Sequence, residues 1–312
     1  MTTDTTTDIE TSMEILINDP ILEKVAVSAL ADADGIGPVT ASTLRPVHNG
    51  FRAFLDNTSY EVSEIAIVTL LQAVAQDKDV VLLPLTALGR HQHRTLISVD
   101  PLDLADLAGR TGGVRAWSQT TGVWVRGVLA EKYGVDLASI TWRTYSRGHV
   151  PEVLEPDFAV PAESGASLAD DLLAGRVDFA IMGNDRPDDP RVRSIIPDPA
   201  VAAEAWAAEV GFVPINHVFA VRGSTARAAR DGILALYDAL AAELDSRNAQ
   251  QSAADKPGPP LHPVGFEALR PAVTAAARFA GDQGLLPKPV DFDGLIAATS
   301  SALGVAPKRL GG

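Results

Sequence analysis

Four consecutive hydroxyl or amide side chains, Ser118, Gln119, Thr120 and Thr121, stand between a predicted short strand at residues 114–117 and a predicted helix. A turn of this kind directs unpaired backbone N–H groups and hydroxyls at one point in front of the helix. The helix dipole makes that point partly positive, so it favours a carboxylate or a phosphate. The segment therefore predicts an anion site, with simple helix capping as the alternative.

Histidines supply candidates for proton transfer. His91 and His93 are spaced i, i+2, so on an extended segment they face the same side. They could exchange protons with a ligand or hold zinc, iron or manganese, or they could form a solvated basic turn. His217 lies in a predicted apolar strand at residues 215–222, where a satisfied core residue is the alternative to a proton donor or acceptor.

Further polar candidates lie at predicted element boundaries. Ser63 is the predicted N-cap of a helix over residues 63–76, and Glu64 lies in its first turn. A carboxylate there also simply complements the helix dipole. Asn184 and Arg186 follow a predicted buried strand, at the edge where open α/β sheets commonly bind ligands, although an ordinary turn is the alternative.

The order of elements predicts the fold class. Strands alternate with helices as far as about residue 222, and helices dominate afterwards, which indicates an α/β protein with largely parallel sheets and a helical C-terminal cover. We interpret residues 1–20 as a flexible tail, residues 22–31 as a first strand and residues 32–43 as a glycine-bearing loop. That loop lacks the third glycine of a dinucleotide fingerprint, so it is weak evidence for a dinucleotide fold.

Composition excludes several classes of function. The 312-residue chain has 26 basic and 40 acidic residues, a net charge of −14, and no cluster of Lys and Arg. We therefore expect neither nucleic acid nor an anionic membrane as a partner, and a bound anion must be captured by a local pocket. The absence of cysteine excludes disulfides, thiolate nucleophiles and cysteine-based metal sites. The first thirteen residues are polar and acidic, unlike a secretory signal, and no apolar run reaches membrane-spanning length, so we expect a cytoplasmic protein.

Four segments occur in order along the chain: VSEIAIVTLLQA, GGVRAWSQTTGVWVRGVLAEKYGVDLASITW, GRVDFAI and AWAAEVGFVPINHVFAVR. Together they resemble the 4,5-dihydroxyphthalate decarboxylase family over about residues 22–225. The resemblance implies a type II periplasmic-binding-protein-like fold, in which two α/β lobes with mostly parallel sheets enclose a central cleft. It assigns residues 21–108 and 217–312 to lobe 1 and residues 109–216 to lobe 2, with the hinge near residues 108 and 217.

The chain departs from the family pattern at one position that bears on substrate charge. His93 matches the family histidine, but Gln92 stands where the family pattern leads us to expect an arginine. Arg90 or Arg94 could supply the missing charge from a neighbouring position. If neither does, we expect a substrate with one anionic group fewer than a phthalate.

The resemblance implies a cofactor-independent decarboxylase of a hydroxylated aromatic carboxylic acid. Direct loss of CO2 would leave an unstable aryl carbanion, and protonating the ring carbon first avoids it. His93 or His217 would be the acid and the other histidine, or Glu64, the base, without a metal. The alternatives are a carboxylate-binding protein without catalysis and a dehydratase of a cyclic carboxylic acid, and whether two copies pair stays open. The predicted substrate-binding residues are Ser63, Arg90, His91, Ser118, Gln119, Thr120, Thr121, Asn184 and Arg186.

Overall fold

A computed structural model of the chain describes residues 11–34, 36–254 and 258–312, and it contains two sheets, each flanked by helices. The strands are β1 (Thr11–Leu16), β2 (Ile36–Ala41), β3 (Val62–Ala66), β4 (Val80–Gly89), β5 (Leu96–Ser98), β6 (Thr111–Val114), β7 (Thr141–Thr144), β8 (Ala159–Pro161), β9 (Phe179–Ile181), β10 (Arg193–Ser194) and β11 (Ile215–Arg222). The helices are α1 (Pro20–Ala31), α2 (Phe51–Leu55), α3 (Ile67–Ala75), α4 (Thr120–Tyr133), α5 (Leu168–Leu173), α6 (Pro199–Val210), α7 (Gly223–Ala228), α8 (Arg230–Ala253), α9 (Phe266–Asp282) and α10 (Phe292–Leu303).

The first sheet has the strand order β2-β1-β3-β11-β4, and the second has the order β10-β5-β9-β6-β7-β8. β1 runs parallel to β2 and β3, and β6 runs parallel to β7 and β9. β7 and β8 are parallel as well, whereas β11 and β5 are antiparallel to both of their neighbours. The predicted two-lobed α/β architecture with mostly parallel sheets is confirmed.

The chain leaves the first lobe earlier than predicted. β5 belongs to the second sheet, so the first crossing lies between Gly89 and Leu96 and the boundary at residue 108 was wrong. The return crossing lies just before Ile215, and the backbone N–H of Arg90 donates to the Pro214 carbonyl at 2.9 Å, which joins the two crossings. The sequence pattern did not reveal this boundary, because a strand of only three residues carries no signal for the sheet to which it belongs.

The N-terminal elements differ from the prediction. Residues 1–10 of the predicted tail lie outside the described residues, whereas residues 11–20 contain β1 and the start of α1, so the prediction of a tail was wrong there. Residues 22–31 belong to helix α1, not to a strand, because Leu22, Ala26 and Leu30 recur at four-residue spacing and are buried. The predicted loop at residues 32–43 contains the strand β2.

The predicted helix over residues 63–76 starts at Ile67, because residues 62–66 form the fully buried central strand β3. Short apolar runs fit a buried strand and a helix equally well, which explains the misplaced boundary. Ser63 is therefore not a helix cap, and Glu64 lies on a strand and not in a first helical turn.

Helix α4 is held against the C-terminal helices by Arg126, whose side chain is fully buried. Its guanidinium lies 3.6 Å from the ring centroid of Trp117, and its Nε donates to Gln283 Oε1 at 2.7 Å. Gln283 in turn donates to the Val123 carbonyl at 3.0 Å. Burial lowers the Arg126 pKa to about 9, and these contacts give Arg126 a structural role.

One continuous hydrophobic core extends through both lobes. Trp142 and Phe179 of the second lobe belong to the same buried cluster as Leu83 and Phe219 of the first. A smaller cluster lies around Ile97 in the second lobe. Among the described helices, none is long and apolar enough to cross a bilayer.

Candidate active site between the lobes

A cavity of about 740 Å³ lies between the two lobes. The first lobe contributes the segment before α2, the first turn of α3 and the start of β11. The second lobe contributes the start of α4 and the loops that follow β7 and β9. Seven of the predicted site residues line this cavity: Arg90, Ser118, Gln119, Thr120, Thr121, Asn184 and His217.

His217 forms a hydrogen-bonded pair with Glu64 at the base of the cavity. Its Nδ1 lies 2.5 Å from Glu64 Oε1. Glu64 is 3% exposed, and its second oxygen accepts from the backbone N–H of Asn18 at 2.8 Å. An ionised carboxylate only accepts hydrogen bonds, so in a pair with ionised Glu64 the donor is Nδ1 of His217. Nε2 is then the ring nitrogen available to a molecule in the cavity.

Strand alternation separates Glu64 from its neighbour Ser63. Successive side chains of a strand point to opposite faces, so Glu64 shares the cavity face with Ala66, whereas Ser63 faces away. Ser63 is fully buried, and its hydroxyl donates to the Glu64 carbonyl at 2.6 Å. The prediction that Ser63 contacts a ligand was therefore wrong.

The first turns of two helices meet at the cavity. Thr120 at the start of α4 accepts a hydrogen bond at Oγ1 from the backbone N–H of Val68 in α3, at 3.3 Å. Gln119 precedes α4 as its N-cap, and its buried Oε1 has no hydrogen-bond partner among the described residues. Free N–H groups at helix starts favour an anion, so this end of the cavity is suited to a carboxylate.

Arg90 brings a positive charge to the same end of the cavity. Its Nη1 donates to Asn184 Oδ1 at 2.8 Å, and its Nη2 donates to Thr121 Oγ1 at 3.3 Å. Gln92 is buried beneath it and donates to the Arg90 carbonyl at 2.9 Å. Arg94 is exposed and does not line the cavity. Of the two arginines considered as replacements for one at position 92, only Arg90 lines the cavity.

The cavity residues that the sequence reasoning missed include His48, His149 and Arg115. Arg115 donates through Nη1 to His48 Nε2 at 2.8 Å. His149 Nδ1 lies 3.1 Å from the hydroxyl of Thr69. A signal existed for two of them, because Arg115 directly follows β6 and His149 lies in the loop after β7, at the carboxyl ends of parallel strands. No comparable signal marked His48.

Burial and nearby positive charge keep two of these imidazoles neutral. Burial lowers the His149 pKa to about 4, with further contributions from Arg115, His48 and His217. Burial, followed by Arg115, also lowers the pKa of His48. Both side chains are therefore uncharged near neutral pH.

The structure places His93 outside the cavity, so its predicted place in the site was wrong. It is buried, and its ring lies 6.4 Å from the ring centroid of Tyr133 and 6.0 Å from that of Trp206. Burial lowers its pKa to about 4. The apolar partners come from α4 and α6, which a local reading of the sequence could not place beside it.

His91 and Arg186 also lie outside the cavity, in contradiction to the prediction. His91 is half-buried, and this burial lowers its pKa. Arg186 is exposed and donates to the Val192 carbonyl at 2.7 Å. Within residues 11–34, 36–254 and 258–312, no group of three His, Asp or Glu side chains could hold a metal ion, so the spacing of His91 and His93 does not form part of such a group.

The cavity is positive although the chain is acidic. Arg52, Arg90, Arg115 and Arg147 line it, and Asp185 is the acidic residue among its lining residues. The whole chain has a net charge of −14, whereas this local excess of arginine makes the charge of the cavity positive. A small anion is thus attracted by the cavity and not by the general field.

Comparison with known proteins identifies one curated relative. Over 209 residues the chain is 25% identical to a 4,5-dihydroxyphthalate decarboxylase of Comamonas testosteroni. The alignment covers 62% of this chain and 62% of that protein, so it spans less than two thirds of the relative's length. No protein-family model matches the chain.

Two solved structures are similar in fold. The alkanesulfonate-binding protein SsuA from Xanthomonas axonopodis pv. citri, bound to MOPS, has a TM-score of 0.56 at 16% identity, covering 92% of this chain and 98% of that one. The desulfurization enzyme DSZB has a TM-score of 0.53 at 16% identity, covering 95% of this chain and 99% of that one. The chain therefore has the two-lobed α/β fold of periplasmic binding proteins and is similar in sequence to a 4,5-dihydroxyphthalate decarboxylase, as its sequence pattern indicated.

Proposed function

We propose that this protein decarboxylates a hydroxylated aromatic carboxylic acid in the cavity between its lobes. The observation that carries the proposal is that His217, which is hydrogen-bonded to Glu64, lines the same cavity as the positive start of α4. Such a reaction needs a proton donor and an anion site in one cavity. The sequence similarity to a dihydroxyphthalate decarboxylase supports the choice of substrate class.

The start of α4 and Arg90 hold a carboxylate that stays on the ring. This end of the cavity offers the carboxylate several hydrogen-bond donors: backbone N–H groups, the hydroxyls of Ser118 and Thr121, and the guanidinium of Arg90. Charge-assisted hydrogen bonds are stronger and more directional than neutral ones, so they orient the ring. Orientation alone contributes substantially to rate, because it replaces a bimolecular encounter by a positioned one.

The reaction begins at a ring hydroxyl para to the departing carboxylate. When a base takes the hydroxyl proton, the oxygen's electron pair moves into the ring and raises electron density at the carbon bearing that carboxylate. That carbon takes a proton from Nε2 of His217, and a C–H bond forms. The C–C bond to the carboxylate then breaks, its electron pair restores the aromatic ring, and CO2 leaves.

Glu64 makes His217 suitable for this step. Its carboxylate fixes the imidazole by accepting from Nδ1, and it balances the positive charge that the ring carries while Nε2 is protonated. Proton transfer from a positioned side chain contributes about 10²–10⁴-fold to a rate. His217 regains its proton from water after the product has formed.

The test is release of CO2 from 4,5-dihydroxyphthalate by the purified protein. Mass spectrometry should show loss of 44 mass units, expected for CO2, and chelator should leave the rate unchanged. Loss of 18 mass units would indicate a dehydratase instead, and a chelator-sensitive rate restored by zinc or manganese would contradict the metal-free mechanism.

A carboxylate-binding protein without catalysis is the second candidate, favoured by the fold similarity to an alkanesulfonate-binding protein. The fold does not decide between a binding protein and an enzyme, since a desulfurization enzyme has a similar fold. A ligand present at about 100 times its dissociation constant raises the free energy of unfolding by about 2.7 kcal/mol. Thermal stabilisation by the aromatic acid with no CO2 released would favour the binding protein.

A further inference from the structure

A second imidazole in the cavity, that of His149, makes contacts that do not involve the His217–Glu64 pair. His149 lies in the loop after β7, in the second lobe, but its contacts are in the first. Its Nδ1 lies 3.1 Å from the Thr69 hydroxyl in α3. Its ring also packs edge-on against Phe51, with centroids 5.2 Å apart.

The same phenylalanine connects the two imidazoles. Phe51 packs edge-on against His217 as well, with centroids 5.6 Å apart. His149 and His217 are therefore neighbours around one aromatic ring, and both line the cavity. An aromatic ligand bound there has an imidazole within reach from each lobe.

The two imidazoles have opposite electrostatic surroundings. His217 contacts a buried carboxylate, whereas His149 is buried and the permanent charge that acts on it is that of Arg115. A buried imidazole near a guanidinium stays neutral, so it has a lone pair with which to accept a proton. Two titratable groups separated in this way are suited to the roles of base and acid.

We propose that His149 is the base that takes the proton of the substrate's ring hydroxyl, and that Arg115 stabilises the oxygen anion formed. This inference rests on the proposed decarboxylation and names the group that starts it. In the tautomer whose Nδ1–H donates to the Thr69 hydroxyl, the lone pair of Nε2 is left for the substrate. The hydroxyl O–H bond breaks, the proton moves to Nε2, and it returns to the oxygen once CO2 has left.

His48 has a different part in this arrangement. Its Nε2 already accepts from Arg115, so that nitrogen is not free to accept a proton from a ligand. It is a positioning residue, because it accepts from the Arg115 guanidinium while its ring centroid lies 6.0 Å from that of His149. The base and its oxyanion partner thus come from the second lobe, and the acid comes from the first.

The experiment uses His149→Gln in the full chain, with 4,5-dihydroxyphthalate as substrate. We expect kcat to fall by about 10²–10⁴-fold. In the wild type, kcat should also decline on the acid side as His149 becomes protonated, and that decline should disappear in the variant. His262→Gln is the matched control, because His262 lies outside the cavity and contacts the Thr86 carbonyl. An unchanged kcat and an unchanged acid-side decline in His149→Gln would overturn the inference while the proposed function stood.

A binding measurement keeps the test informative if no CO2 is released at all. Isothermal titration should show that the wild type prefers 4-hydroxyphthalate to phthalate and that His149→Gln loses this preference. Loss of the preference without catalysis would support the contact of His149 with the hydroxyl and refute decarboxylation. An equal preference in both proteins would overturn the role of His149. Thr69→Val retains His149 but removes its hydrogen-bond partner, so it should lower kcat less than His149→Gln does. This second variant keeps the inference testable if His149→Gln does not fold.

Discussion

His217 and Glu64 lie on adjacent antiparallel strands, two residues out of direct register. His217 is opposite Ala66 on β3, and Phe219 is opposite Glu64. The pair is thus a diagonal one on a single sheet face, a spacing within reach of long side chains. Both groups are mounted on strands of the central sheet, and rigid elements hold a proton-transfer pair more precisely than loops do.

Glu64→Gln should lower kcat by about 10²-fold or more, because a neutral amide fixes the His217 ring less well and does not balance its charge. KM should change little, since Glu64 does not itself line the cavity. Steady-state kinetics with 4,5-dihydroxyphthalate provide the measurement. A large rise in KM at constant kcat would place Glu64 in substrate binding instead.

Arg90→Met should weaken binding of phthalate by about 10–100-fold, because a hydrogen bond to a charged group contributes about 1.5–3 kcal/mol. Isothermal titration measures the dissociation constant. Arg94→Met is the matched control, since this exposed arginine lies outside the cavity and should leave binding unchanged. Equal effects of the two variants would point to general electrostatic attraction, against a specific contact.

Gly127→Ala should lower the free energy of unfolding by about 2 kcal/mol, although alanine is the better helix former. A Cβ atom at this position of α4 would lie 2.2 Å from the ring of Phe279 in α9. Gly281→Ala in α9 is the control, because a Cβ there meets nothing within 4 Å, and it should leave stability unchanged or raise it by up to about 1 kcal/mol. Urea unfolding compares the two, and a stable Gly127→Ala would show that α4 and α9 are not tightly packed.

The protein should lose stability as the pH falls from about 6.5 to about 4. Burial lowers the pKa of His93 to about 4, whereas an unfolded histidine takes up its proton near 6.5. In that window the unfolded chain binds the proton and the folded chain does not, so acid favours unfolding, by up to about 3 kcal/mol for this group. Urea unfolding at several pH values should show a weaker pH dependence in His93→Leu than in the wild type. An identical pH dependence of stability in both proteins would show that His93 does not contribute to the loss of stability in acid.

Local patterns in the sequence were sufficient for the elements with strong boundary signals. The α6 helix begins after Asp198 and ends at Gly211, whose positive φ of 79° suits glycine. β11 has the predicted bounds, and the polar turn before α4 opens onto the cavity as expected. Alternation of strands and helices was enough to predict the α/β class, because periodicity and capping are written into neighbouring residues.

The membership of the site was decided by tertiary structure. Glu64 and His217 are 153 positions apart, and strand register alone brings them together. His149 enters the site because the second lobe lies against Thr69, whereas His93 is removed from it by helices packed over its ring. No local pattern encodes which lobe faces which helix, since that choice depends on how the whole chain buries its core. The sequence alone thus predicted the architecture and a polar turn that opens onto the cavity, and the packing of the two lobes determined which imidazoles meet there.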